Sequence, residues 1–379
     1  MTLEEAFSGI QDHRKGAAKR YLLSDVLVMA VCAILSDCDD WVDIADWCAE
    51  QQKWFAGFLD LPNGTPSHDT FGDIFRMIDS QVFEHCFRSW VQEIVGAAKG
   101  VIALDGKTLR GSGDKDANAT KGINAIHLVS AYSTELGMTL AHEGSAGKGN
   151  ELTAIKSLLE TLVLKGTIIT IDALGCQKSI AKQITEKKAD YVLSVKHNQK
   201  TLAMHLEEFF KTAEECAYKN LPIQQQKHVE KDHGRIETRR AVLIYDVAWM
   251  DKELRETWAG LSGVGMIETQ VQKGDKITQE RRYFIVSKGV KTVDEFAKAV
   301  RAHWGVESMH WTLDVTFRED HCRVRCGHGA RNFAVARKFA LGLLKQDSQF
   351  PERGLKRRRR LASRRADYRE SLLWFGVNL

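Results

Sequence analysis

The hydrophobic pattern of the chain changes at residue 101, and this change constrains the fold more than any other feature. Before it, apolar residues recur at helical spacing in three segments, 22–35, 41–54 and 83–95. After it, the pattern predicts three strands, a helix, a strand that ends on Asp172, a second helix and a strand at 190–195. The three leading strands are predicted at 101–109, 125–132 and 138–143. An all-helical segment is therefore expected to precede an α/β segment.

This order of strands and helices is that of the RNase H-like core, an α/β fold with a mixed five-stranded sheet. In that topology the first and fourth strands are neighbours. Asp105 lies on the first strand and Asp172 at the exit of the fourth, so their carboxylates are expected to face one another. A divalent cation relieves the repulsion between two such carboxylates, and their oxygen ligands favour Mg²⁺, with Mn²⁺ as an alternative. Taken singly, each aspartate would be interpreted as capping a turn, and the matched positions of the two favour the metal site.

A third carboxylate is expected on a helix that begins near residue 293. Thr292 and Glu295 have the spacing of a capping box, which predicts this helix start. Four polar residues then fall along one side of the helix at helical spacing: His303, Glu307, His310 and Asp314. Glu307 is predicted to be the third carboxylate, with Asp314 as the alternative.

The charge of the chain is unevenly distributed, although its formal net value is only +4. Residues 353–365 carry eight Lys or Arg among thirteen residues and no acid, a composition that suits a polyanionic partner. A solvated basic tail without a dedicated partner is an equally good interpretation of the run alone. The most apolar run, 26–35, is too short to span a bilayer, and the first sixteen residues lack a signal peptide. Together with eight cysteines that lack framework spacing, these features predict a cytoplasmic protein without membrane contact.

Several segments resemble the H-repeat-associated transposases of bacterial insertion sequences: "DGKTLRGS", "DYVLSVKHNQ", "HGRIETR", "HWGVESMHWTLDVTFRED" and "NFAVARKFALGLLK". The resemblance covers nearly the whole chain. It implies that Asp105, Asp172 and Glu307 form a DDE triad that binds two Mg²⁺ ions. It also implies Mg²⁺-dependent cleavage at the ends of the element and transfer of the freed 3′-hydroxyl into target DNA. Related DDE transposases carry Arg four residues before the glutamate and Lys seven after it, where this chain has His303 and Asp314.

The resemblance also implies a domain organisation. Residues 1–95 would be the helical transposase-associated domain, and residues 96–346 the catalytic domain with an insertion at about 197–287. The end of the insertion is predicted to be β-rich, with strands at 265–271 and 277–286 around a turn. Residues 347–379 would be a basic C-terminal tail.

The implied partner is double-stranded DNA, both element ends and target, bound by a homodimer associated with the bacterial nucleoid. The candidate DNA-contacting residues are Lys107, Arg110, Lys196, Arg235, His303, Lys356, Arg357 and Arg358. The charged segment 231–240 is expected either to contact phosphates or to guard an exposed strand edge. Two other functions are compatible with the same residues: a metal-dependent nuclease without strand transfer, and an inactive DNA-binding remnant.

Overall fold

Helix-capping side chains fix the N-terminal segment. In the computed structural model, which describes residues 1–113, 124–145, 150–232 and 234–373, Asp40, Ser67 and Asp79 each accept hydrogen bonds from first-turn amides of the helices that follow them. These caps satisfy amides that a helix start otherwise leaves unpaired. The helices of this segment are α1 (Leu3–Ser8), α2 (Leu23–Leu35), α3 (Trp41–Glu50), α4 (Gln52–Phe55), α5 (His68–Met77) and α6 (Ser80–Val95).

The described residues of the α/β segment form one mixed sheet. Its first five strands are β1 (Val101–Thr108), β2 (His127–Ser133), β3 (Met138–Ser145), β4 (Ile168–Ile171) and β5 (Asp190–Val195). Their spatial order is β3-β2-β1-β4-β5, with β1 antiparallel to β2 and parallel to β4. Helices α7 (Glu151–Thr161) and α8 (Lys178–Glu186) connect the parallel strands. The predicted adjacency of the first and fourth strands is confirmed.

The five predicted core strands are present, but the strands of the insertion do not form a separate sheet and extend the same sheet to nine within the described residues. After α9 (Lys200–Glu215), the added strands are β6 (Ile223–Asp232), β7 (Arg235–Ile244), β8 (Leu261–Lys273) and β9 (Lys276–Ser287), with α10 (Lys252–Glu256) before β8. β9 pairs with β5, and the antiparallel meander leaves β6 at the sheet edge. Lys and Glu side chains on this edge strand discourage pairing with another chain.

The two faces of the sheet carry different helices. On β2, His127 pairs with Glu151 of α7, whereas Ser130 contacts Lys338 of α12 (Gly329–Gln346). Residues an odd number of positions apart on a strand point to opposite faces, so α7 and α12 cover opposite sides. The long helix α11 (Val293–Val315) contacts β1 and β4 on the α12 side. Gly106 leaves room for the His127 ring on the α7 side, since a Cβ at this position would lie 2.5 Å from Nε2 of His127.

Helix α12 joins the N-terminal helices to the sheet. Most of its side chains are buried, and it packs against α2, α5 and α6 on one side and β3 on the other. Trp41 stacks on Phe333 at 4.4 Å, and Phe7 meets Phe339 edge-on at 5.1 Å. One hydrophobic core therefore includes residues from both predicted domains. Among the described residues, no helix has both the length and the apolar character needed to cross a membrane.

The basic run at residues 353–365 folds into a helix, contrary to its interpretation as a solvated tail. It forms α13 (Leu355–Arg364), followed by α14 (Ala366–Leu373), and both pack on the rest of the chain. Arg359 is fully buried, as is Tyr368. The last six residues of the predicted tail, 374–379, lie outside the described residues.

Candidate active site

The register between β1 and β4 brings two aspartates to the same level. Leu104 is the partner of Ile171 in this parallel pair, so the next residues, Asp105 and Asp172, leave neighbouring strands side by side. Adjacent strands are about 4.8 Å apart. The two carboxylates are therefore close neighbours at the carboxyl ends of parallel strands, where open α/β sheets commonly bind ligands.

Asp172 also caps the turn that follows β4. Its Oδ1 atom accepts hydrogen bonds from the backbone N–H groups of Leu174, at 3.0 Å, and Gly175, at 3.4 Å. The interpretation of this aspartate as a turn cap is thus confirmed for one of its two carboxylate oxygens. The cap fixes the orientation of the carboxylate and leaves Oδ2 outside these two hydrogen bonds.

Helix α11 crosses over the two aspartates, and its start carries the predicted capping box between Thr292 and Glu295. His310 of α11 is buried, with its Nδ1 atom 3.4 Å from Oδ2 of Asp105. His303 lies two turns earlier, with its Nδ1 atom 3.2 Å from the hydroxyl of Thr170 on β4. Two histidines therefore join the helix to the two strands that carry the aspartates.

His303 lies near all three of the predicted acids. Burial lowers the pKa of its imidazole, while Asp105, Asp172 and Glu307 act in the opposite direction through their charges. All three carboxylates are thus close enough to His303 to influence it electrostatically. The half-buried ring contacts β4, so its predicted role in DNA binding stays a prediction.

Glu307 is exposed and lines a cavity of about 110 Å³ together with Asp172. Lys196, at the end of β5, and Arg282, on β9, line the same cavity. The cavity therefore places two of the predicted acids beside two cations. This arrangement suits a phosphodiester, which needs both metal ligands and positive charge around it.

Asp314, the alternative third carboxylate, has a different partner. Lys107 donates hydrogen bonds to Asp314 and to Glu319, and its side chain is only 11% exposed. The Lys107 ammonium thus faces carboxylates in a buried position, and its predicted contact with DNA phosphate stays a prediction. Glu307 remains the better candidate for the third acid of the triad.

The donor set of the cleft fits a hard divalent cation, since Asp105, Asp172 and Glu307 offer carboxylate oxygens. Within the described part of the chain, no three His, Cys, Asp or Glu side chains converge closely enough to hold a metal through protein ligands alone. Mg²⁺ usually binds one or two carboxylates and completes its shell with water and substrate phosphates. The catalytic and metal-binding roles of the three acids stay predictions.

The other predicted DNA contacts differ in how accessible they are. Arg110 is 82% exposed, 3.6 Å from Asp320, and Arg235 is exposed near the β6–β7 hairpin turn, where it pairs with Glu237 at 3.4 Å. Lys356 and Arg357 are exposed on α13. Arg358 is not available to DNA, because its guanidinium donates to the carbonyl oxygens of residues 344, 347, 351 and 353.

A second cationic cavity adjoins the first and was not predicted from the sequence. It has a volume of about 370 Å³ and lies between α11 and the strands of the insertion. Arg239 and Arg282 lie over the ring of Trp304, at 5.0 and 5.4 Å from ring centroids. Trp304 and Arg282 line both cavities. The alternation in "QERRYFIVS" signals a strand with exposed arginines, but not their position beside the helix.

Comparison with known proteins identifies the family of the chain. A family model described as "Transposase DDE domain" matches residues 96–343, and one described as "DDE_Tnp_1-associated" matches residues 4–91. The chain therefore belongs to the transposase DDE domain family.

Within that family its relatives include the H-repeat-associated proteins. The chain is 40% identical to "Putative transposase YncI" of Escherichia coli O157:H7, over 98% of this chain and 94% of that protein. It is 36% identical to "H repeat-associated putative transposase YhhI" of Escherichia coli strain K12, over 98% and 97% of the two chains. A piggyBac transposase synaptic complex with hairpin DNA aligns over 99% of this chain and 78% of its own, at 12% identity. Its TM-score of 0.43 is too low to support an argument.

Proposed function

We propose that this protein is the DNA transposase of an insertion sequence, built on an RNase H-like core. It cuts DNA at the ends of its element and transfers the freed 3′-hydroxyl into target DNA in a reaction that depends on Mg²⁺. The observation that carries the proposal is the β1–β4 register, which sets Asp105 beside Asp172 under a helix that presents Glu307. Membership of the transposase DDE domain family supports it.

Asp105, Asp172 and Glu307 are the residues that would hold the metal ions. When bound there, Mg²⁺ would make a water molecule nucleophilic and stabilise the charge on the leaving 3′ oxygen. The phosphate of the substrate supplies further oxygen ligands, which accounts for a protein donor set that is incomplete by itself.

The other side chains of the cleft orient the reacting groups. His310 lies against Asp105, and the turn after β4 holds Asp172 through its amides, so both carboxylates have fixed directions. Lys196 and Arg282 neutralise the phosphate at the cavity they share with Glu307. Cleavage and strand transfer are both in-line displacements at phosphorus, so this one constellation serves both steps.

The DNA path continues from the cleft toward the insertion. Five of the thirteen residues that line the larger cavity are Lys or Arg: Lys227, Arg239, Arg282, Lys298 and Arg301. Arg239 and Arg301 also pair with Glu230, at 3.2 and 2.6 Å. Their charge suits the phosphate backbone, and the half-buried Trp304 offers an apolar surface between two guanidinium groups. We assign the duplex of the element end to this groove, and a homodimer to the complex that brings two ends together.

The proposal is tested with the purified protein and labelled duplexes that cover the DNA flanking its gene on each side. With Mg²⁺, nicks at defined positions and strand-joined products are expected on denaturing and native gels. Asp172→Asn should abolish both products, whereas Asp60→Asn, the same change at an exposed N-terminal position, should abolish neither.

Each alternative has its own outcome. Nicks without joined products would support a nuclease in place of a transposase. DNA binding without any nick would support an inactive remnant. Cleavage retained by Asp172→Asn would reject the assignment of the site.

A further inference from the structure

Lys107 occupies an unusual position beside the predicted triad. It follows Asp105 by two residues on β1, so both side chains point to the face that α11 covers. Its Nζ atom donates to Asp314 Oδ1 and Glu319 Oε2, and lies 3.8 Å from Asp320 Oδ1. The Glu319 side chain is 2% exposed, so this ion pair lies in the interior of the protein.

The two main partners of Lys107 lie at the C-terminal end of α11 and just after it. Asp314 lies in the last turn of α11, and Glu319 lies in the short 3₁₀ turn that follows the helix. Glu307 precedes Asp314 on α11 by seven residues, which is about two turns or 10 Å. Through Lys107, the strand that carries Asp105 is thus bound directly to the helix that carries Glu307.

The electrostatics of the cluster favour a strong attachment. The Lys107 ammonium lies between the carboxylates of Asp314 and Glu319, where little solvent screens their attraction. Arg337 and Lys338, both buried, also act on Glu319. Removing one member of a buried ion pair is strongly destabilising, because the remaining charge stays buried without compensation.

We propose that Lys107 is a positioning residue, which fastens α11 to β1 and thereby holds Glu307 over Asp105 and Asp172. The catalytic consequence rests on the transposase function proposed above, whereas the attachment of helix to strand does not. The competing hypothesis is that Lys107 binds a DNA phosphate.

Asp314→Asn separates the two hypotheses, because it weakens the attachment on the helix side and leaves the buried Lys107–Glu319 pair intact. If Lys107 positions α11, backbone amides of residues 306–315 should exchange hydrogen faster, as measured by mass spectrometry on the DNA-free protein. The rate of cleavage at saturating DNA should fall by up to about 100-fold, the typical cost of a misplacement of about 1 Å. DNA affinity should not change.

If Lys107 binds phosphate, Asp314→Asn removes a competing carboxylate. DNA binding should then tighten, while hydrogen exchange in α11 stays as in the wild type. That pair of results would overturn the proposal. Asp294→Asn, the same change in the exposed first turn of α11, is the control for exchange and should leave residues 306–315 unaffected.

Lys107→Met provides the second arm, with Arg110→Met as its comparison. Arg110 is 82% exposed and is itself a predicted phosphate contact, so its loss should weaken DNA binding and flatten the salt dependence. Lys107→Met should lower the rate at saturating DNA and leave that salt dependence unchanged, and Lys107→Arg should recover part of the rate. A flattened salt dependence for Lys107→Met would contradict the proposal.

The experiments distinguish a failure of the proposed function from a failure of the positioning role of Lys107. If the wild-type protein cleaves no DNA, the proposed function is wrong, and faster exchange in Asp314→Asn still supports the attachment of α11 to β1. If the wild type cleaves and Asp314→Asn changes neither exchange nor rate, the positioning role is wrong and the function stands. Should Lys107→Met fail to fold, the Asp314→Asn measurements decide alone.

Discussion

Arg359→Met should destabilise the protein strongly, whereas Arg357→Met on the same helix should not. Arg359 is fully buried, and its guanidinium donates to Ile34 O at 3.0 and 2.7 Å, to Thr316 O, and to Asp39 Oδ1 at 3.0 Å. Ile34 lies in the last turn of α2 and Thr316 ends α11, so one cation satisfies C-terminal carbonyls of two helices. Positive charge at these ends also interacts favourably with both helix dipoles.

The expected loss of stability follows from the polar groups that would lose their hydrogen-bond donor in Arg359→Met. The methionine stem fills much of the same space, but the carbonyl oxygens of Ile34, Cys38 and Thr316 and the Asp39 carboxylate lose their donor. An unpaired buried polar group costs about 1–3 kcal/mol, and breaking a buried charge pair costs about 3–5 kcal/mol. These contributions overlap, so we expect a total loss of about 4 kcal/mol. Arg357 is exposed, and its replacement should change stability by less than about 0.5 kcal/mol.

Urea unfolding followed by tryptophan fluorescence measures both variants against the wild type. The midpoint for Arg359→Met should fall well below that of Arg357→Met. Equal midpoints for the two variants would refute the reasoning, because the basic run would then behave as the solvated tail that its composition suggests. Arg357→Met should instead weaken DNA binding if the exposed side of α13 contacts phosphate.

Three further outcomes are expected. Asp105→Asn should remove metal-dependent cleavage and leave DNA binding within a few-fold of the wild type in a gel-shift assay, because most affinity comes from other phosphate contacts. Arg282→Gln should lower the slope of log affinity against log salt by about one unit if this residue contacts one phosphate; an unchanged slope would exclude the contact. Burial raises the pKa of Glu84 from 4.5 to about 7, so its ionisation penalises the folded state and stability should decline as pH rises through that window. Glu84→Gln should lose this decline in thermal unfolding curves recorded across the window.

Local signals in the sequence predicted the strand order and the placement of the aspartates. The predicted strand at 190–195 coincides with β5, and the capping box at Thr292 gave the start of α11. These features depend on residues close together in the sequence, where periodicity and caps act. The β6 segment, "IQQQKHVEKD", lies at a solvated sheet edge and lacks the apolar alternation that would have revealed it.

The roles of the cations were much harder to predict, because each depends on partners far away in the sequence. Lys107 and Asp314 are 207 positions apart, and Arg359 and Ile34 are 325 apart. A lysine beside a predicted catalytic aspartate and an arginine in a run without acids both have the local composition of a phosphate-binding residue. Burial is the property that distinguishes them, and it is set by the packing of α11, α12 and α13.

Sequence spacing left both Glu307 and Asp314 as candidates for the third acid of the triad, and long-range contacts distinguish them. Asp105 and Lys107 point to one face of β1 about 7 Å apart, and the two acids lie about 10 Å apart along α11. The helix therefore has two plausible alignments on the strand. In the observed one Lys107 meets Asp314, and Glu307 faces the cavity beside Asp172. In the other, shifted by two turns, Lys107 would neutralise Glu307, and Asp314 would lie past Lys107 on the side away from Asp105. Because the buried Glu319 also binds Lys107 just past the helix end, a two-turn shift would break this pair as well. The lysine on the strand thus favours Glu307 as the acid left free for the metal.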